Sequence, residues 1–97
     1  MHVFKLSMTA GAACTAAAEG TALNGAVLVD NDDVQLARDG ALLALDRLGF
    51  ESCTFVDAVR LPPAPDTARY SGPMKQAYED AKRDGVAVML YAVESAG

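Results

Sequence analysis

A chain of 97 residues, 52% of them hydrophobic, is long enough to bury one core and too apolar to be disordered, so residues 1–97 read as a single domain. Eight basic against thirteen acidic residues leave a net charge of −5, the wrong sign for gripping nucleic acid or an anionic membrane surface. Much of the apolar share is alanine and tryptophan is absent, so the core falls to Val, Leu, Met and three Phe. Cys14 and Cys53 stand far apart with no CxxC pair, and His2 is the one histidine; this fits free thiols in a reducing cytoplasm, not a disulfide or zinc framework. The opening Met1-His2-Val3-Phe4-Lys5 lacks the basic start of a signal peptide, and no apolar run nears the ~20 residues of a membrane span.

Val3 to Thr9 alternates, with Phe4, Leu6 and Met8 on one side and Val3, Lys5 and Ser7 on the other, which predicts a half-buried strand. From Ala10 to Asn24 the chain has alanine-rich helix propensity without a large apolar anchor, bracketed by Gly11 and Gly20. A loop with at most a turn of helix is expected there. Asn24-Gly25 has the composition of a two-residue turn, starting a second strand over Gly25 to Asp30 whose apolar run Ala26-Val27-Leu28-Val29 calls for burial on both faces. A helix follows from Val34 to Leu48, with Val34, Ala37, Ala41, Ala44, Leu45 and Leu48 as its apolar stripe. Asp30 or Asn31 is the expected N-cap, acidic residues fill the first turn, and Gly49 supplies the left-handed stop.

Phe50 to Leu61 reads as a third strand, with Cys53, Phe55, Val59 and Leu61 of one parity. Pro62-Pro63-Ala64-Pro65-Asp66 ends it and opens a loop to Gly72, longer than the ~4–6 residues usual in compact domains. Pro73 then suits the first turn of a second helix with the stripe Met74, Ala77, Tyr78 and Ala81; Lys75–Glu79 and Glu79–Arg83 are its expected ion pairs. Gly85 stops this helix before a wholly apolar strand, Val86 to Val93. The sum is an α+β domain: a mixed four-stranded sheet with two helices packed on one face, in the order β-β-α-β-α-β. A ferredoxin-like βαββαβ arrangement is the nearest alternative, but the 34–48 helix sits where its central hairpin belongs.

Little in the sequence carries chemistry. Asp30-Asn31-Asp32-Asp33 fails as a calcium loop because Val34 and Gln35 stand where an oxygen ligand and a glycine are needed, and it reads as a helix start. No phosphate loop, metal-ligand cluster or cofactor motif is present, so neither cofactor nor metal is expected. His2 reads as structural, Cys53 as packing and Cys14 as the more exposed thiol. If the second, third and fourth strands run parallel, their carboxyl ends and both helix N-termini meet at one edge, where open α/β sheets bind ligands. Arg60, Arg69, Tyr70, Ser71 and Lys75 fall on or near that edge and could hold a small anion. With two helices on one face, the other would expose Lys5, Thr54 and Arg60 beside apolar residues. The leading expectation is therefore a non-enzymatic interaction or regulatory module that dimerises or binds a protein partner through a sheet face or edge strand; small-anion binding or catalysis in the cleft is the alternative.

Overall fold

The computed structural model describes residues 1–15, 17–62, 67–70 and 72–92. Its elements are β1 (His2–Ala10), β2 (Ala22–Val29), α1 (Val34–Arg47), β3 (Phe50–Arg60), a 3-10 turn (Thr67–Arg69), α2 (Gly72–Asp84) and β4 (Val86–Ala92). This is the expected α+β class in the expected order, and it sets the ferredoxin-like order aside.

The strands form one sheet in the order β3-β1-β2-β4. Every neighbouring pair is antiparallel: β1 with β2, β1 with β3, and β2 with β4. β2 and β3 do point the same way, as a helical crossover demands, but β1 lies between them, so the sheet is not mixed at any seam. The first two strands form a long-looped hairpin, not the tight turn expected at Asn24-Gly25. Those two residues lie inside β2, paired with Ser7 and Leu6 on one side and Tyr91 and Leu90 on the other. Glycine is needed at 25 because a Cβ there would stand 2.8 Å from the Met89 carbonyl oxygen and 2.7 Å from the Met8 methyl.

The two helices do not share a face. One core cluster joins Phe4, Leu6, Met8, Val27 and Val29 to Ala37, Ala41 and Leu45 of α1. A separate cluster joins Val3, Ala26, Leu28 and Ala87 to Ala77 and Ala81 of α2. Successive residues of one strand enter opposite clusters, so α1 and α2 lie on opposite sides of the sheet. The physical reason is the 26–29 run: four consecutive apolar residues in a strand require cover on both faces, and one helix supplies each.

Local signals hold with adjustments. Asp33, not Asp30 or Asn31, caps α1: its Oδ1 accepts from the amides of Gln35 at 2.9 Å and Leu36 at 3.1 Å, and no acidic residue lies in the first turn. Asn31 Oδ1 in turn accepts from the Asp33 amide at 2.8 Å. Gly49 takes φ +87° and closes α1, and Gly85 at φ +91° closes α2. β3 carries register shifts opposite Lys5/Leu6 and Ser7/Thr9, with Ser52 at φ 51°; these bulges break the single parity expected of Cys53, Phe55, Val59 and Leu61. Cys53 and Phe55 pack toward α1, whereas Leu61 packs toward α2. The 11–21 connection shows turns only among its described residues, and Cys14 and Ala17 rest against the α1-side core.

Candidate functional site

The carboxyl ends of β2 and β3 do meet at one edge with the start of α1, as the sequence suggests, but β4 begins there and α2 ends there. The Asp30 amide donates to the Gly85 carbonyl at 2.9 Å, which brings the last turn of α2 alongside in place of its N-terminus. The resulting cleft holds about 160 Å³ between Met1, Asp30, Asp32, Pro62, Tyr78 and Lys82. Its charges are paired across elements. The Met1 ammonium donates to Asp32 Oδ1 at 3.1 Å, Arg60 stands 3.9 Å from the same oxygen, and Lys82 Nζ lies 3.7 Å from Asp30. The hydrogen bond and charge of the Met1 ammonium, helped by Arg60, hold the Asp32 carboxyl below the usual carboxylate range. His2 is 6% exposed behind this cleft, stacked 6.0 Å from Phe4, with Nδ1 2.8 Å from the Asn31 carbonyl oxygen. A carbonyl only accepts, so Nδ1 is the donor in this bond and His2 serves as a structural tie.

Of the five residues the sequence nominated, the cleft takes Arg60 at its mouth. Tyr70 stacks edge-on against Tyr78, a wall residue, at 6.2 Å, and Arg69 precedes it in the 3-10 turn. Lys75 sits seven residues before Lys82 on α2, about 10 Å up the helix, because the helix arrives by its other end. Ser71 lies outside the described residues. Lys82 is the cation sequence reasoning missed; its placement depends on α2 ending, not starting, at this edge. Arg60 and Lys82 both face aspartates in solvent-exposed pairs, so among the described residues these two cations of the cleft already have carboxylate partners. Cys53 is half-buried and burial raises its thiol pKa, which suits packing over nucleophilic chemistry. Among the described residues no group of three or more His, Cys, Asp or Glu side chains is placed to hold a metal ion, and no helix is long and apolar enough to cross a membrane.

The two sheet edges differ sharply. β3 is bulged twice and carries Glu51, Asp57 and Arg60, the devices that blunt an edge against pairing. β4 pairs with β2 in unbroken register from Val86 to Ala92 and has no charged residue. Leu90 on it is 39% exposed. On α1, Leu36 is 59% and Leu43 51% exposed. Arg38 reaches over the Phe55 ring of β3 at 4.8 Å and Gly40 looks onto Val29 of β2, so Leu36 and Leu43 lie on the solvent-facing side of α1, turned away from the sheet. A shallower groove of about 250 Å³ opens between Lys5, Leu6, Asn24, Gly25 and Val56, where α2 leaves part of its face uncovered.

Fold and surfaces together define a small α+β domain with helices on both sides of an antiparallel sheet, one guarded edge and, among the described residues, one open edge. No protein-family model matches the chain, and neither a curated protein nor a solved structure matches it.

Proposed function

We propose that the chain is a small non-enzymatic interaction module of the cytoplasm that associates with itself through the open β4 edge. The observation that carries the reading is the contrast between the edges: evolution of a stable monomer blunts both, and here only β3 is blunted. An uncharged, unbulged strand with Leu90 exposed on it is the composition of a contact surface. Because the β3 edge is guarded, pairing at β4 stops at two copies and does not run on into fibres. The free thiols of Cys14 and Cys53 support a reducing compartment. The small-anion alternative loses ground because the cations nearest the cleft are already matched to Asp30 and Asp32.

The test is mass by light scattering across a concentration series, for the wild type and for Leu90→Lys, which puts a charge on the open edge. The wild type should move from monomer toward dimer while Leu90→Lys stays monomeric with an unchanged far-UV spectrum. A wild type that remains monomeric up to ~1 mM, beyond which association is worth less than about 4 kcal/mol, would end the self-association reading.

A further inference from the structure

Resting on that reading, we infer how the second copy binds: β4 pairs with β4 of its twin, antiparallel, about a two-fold axis at Val88, making one eight-stranded sheet. The Asp30 amide bonds the Gly85 carbonyl, and these residues continue the β2–β4 register, so they form a hydrogen-bonded pair. In an antiparallel ladder such pairs alternate with non-bonded ones. Leu28/Ala87 and Ala26/Met89 are therefore bonded pairs, while Val29/Val86, Val27/Val88 and Gly25/Leu90 are not. The independent bond from the Ala10 amide to the Thr21 carbonyl, in register with β1–β2, turns Val27 and Gly25 toward β1 and agrees with this phase. The backbone groups of Val88 and Leu90 consequently point away from β2, out of the sheet edge.

A twin strand with Val88 opposite Val88 and Val86 opposite Leu90 meets these groups in phase and closes about six backbone hydrogen bonds. The same operation keeps both copies of α1 on one face. Each α1 touches all four strands, so the two axes stand about four strand spacings, ~19 Å, apart. Helices ~10 Å across leave a gap of ~9 Å, floored by the Val88 and Leu90 side chains. On the other face, Tyr78 and Lys82 turn toward the cleft, so the opposite flank of α2, with Asp80 and Arg83, comes beside its twin running the other way. Arg83 there is already paired with Asp80 and Asp84 of its own chain, so each seam side carries a small net negative charge that its twin repels weakly. A strand seven residues long spans ~23 Å, and with a layer of side chains on each face the seam is roughly 450 Å² per copy. That is below the roughly 800 Å² of a standard interface, so the pairing is reversible and dependent on concentration.

Amide hydrogen exchange on the wild-type chain, read at a dilute and a concentrated sample, tests the inference. Where light scattering reports dimer, the Val88 and Leu90 amides should slow by about tenfold or more, while those of Ala87 and Met89, already bonded to β2, should change little. A dimer whose Val88 and Leu90 amides exchange as fast as the monomer's would overturn the strand pairing yet leave self-association standing. A chain that never dimerises would overturn both. Val88→Pro gives a second arm: it removes an N–H that β2 does not use, so the expected variant is folded and monomeric, and a folded variant that still dimerises counts against the pairing. The exchange arm uses no substitution and decides the matter whatever the proline does to folding.

Discussion

Gly49 offers a test of the fold with its own control. It lies at φ +87°, where a side chain is strained, and a Cβ built there would stand 2.5 Å from the Cys14 nitrogen and 2.7 Å from the Ala13 carbonyl carbon. Gly85 has nearly the same backbone, φ +91°, but nothing within 4 Å of its Cβ position. Gly85→Ala should therefore cost only the left-handed strain, about 1–2 kcal/mol. Gly49→Ala adds a collision with main chain that cannot rotate away. The 11–15 segment must shift, which loosens Cys14 from the α1-side core and strains the Gly11 amide to Gly49 carbonyl bond of 2.9 Å. That bond is worth about 0.5–1.5 kcal/mol net, so with the strain the total for Gly49→Ala is about 1.5–3.5 kcal/mol. For a domain of this size each kcal/mol lowers Tm by about 4–8 °C, giving a fall of roughly 6–28 °C for Gly49→Ala against roughly 4–16 °C for Gly85→Ala. Paired thermal melts by far-UV circular dichroism read the difference. Equal falls would mean the 11–15 segment does not rest on Gly49 and would refute the packing described for that loop.

Other substitutions probe separate parts of the account. Asp33→Ala removes the acceptor shared by the Gln35 and Leu36 amides and should lower stability by about 1 kcal/mol in urea unfolding; Asp30→Ala, not a cap, should fall well short of that. Leu45→Ala, at a fully buried position, should cost about 2–5 kcal/mol, while Leu43→Ala on the outer flank should stay within about 0.5 kcal/mol in dilute, monomeric samples. Asp32 contributes through its lowered folded pKa: the stability is present above the ordinary carboxylate value of about 3.9 and is lost as pH falls through the folded value. Wild type and Asp32→Asn should accordingly differ in Tm at neutral pH and converge in strong acid; a gap that widened on acidification would reverse the sign argued here.

Much of the architecture was readable from periodicity and punctuation. The helix from Val34, the stops at Gly49 and Gly85, and the apolar strand after Gly85 form where expected, because each is fixed by residues close in sequence, but of the expected stripe only Ala37, Ala41 and Leu45 are buried while Val34 and Leu48 stay exposed at its ends. Strand neighbours are not local, and there the reading erred. Asn24-Gly25 carries a turn signal, yet the pair lies in a strand, where Met89 of β4 and Met8 of β1 crowd position 25 and admit only glycine. The run Ala26–Val29 already implied cover on both faces, which conflicts with placing both helices on one; giving that run more weight would have separated them. The cleft was half legible. Arg60 could be placed because Pro62 stands just beyond the end of β3, whereas Lys82 required knowing that α2 arrives by its C-terminus, a fact set by the sheet order.

The central claim is that the β4 edge is where two copies meet, and sedimentation equilibrium in low and high salt addresses it most directly. Each copy carries −5, and the seam itself is uncharged along β4, so the only long-range term is repulsion between like domains. The account predicts a reversible monomer–dimer equilibrium in the micromolar-to-millimolar range that tightens between about 0.1 M and about 1 M salt, as screening removes that repulsion. A dimer that dissociates as salt rises would mean the contact is made by ion pairs elsewhere on the surface, and a monomer at every concentration and salt would mean that β4 is not a contact at all.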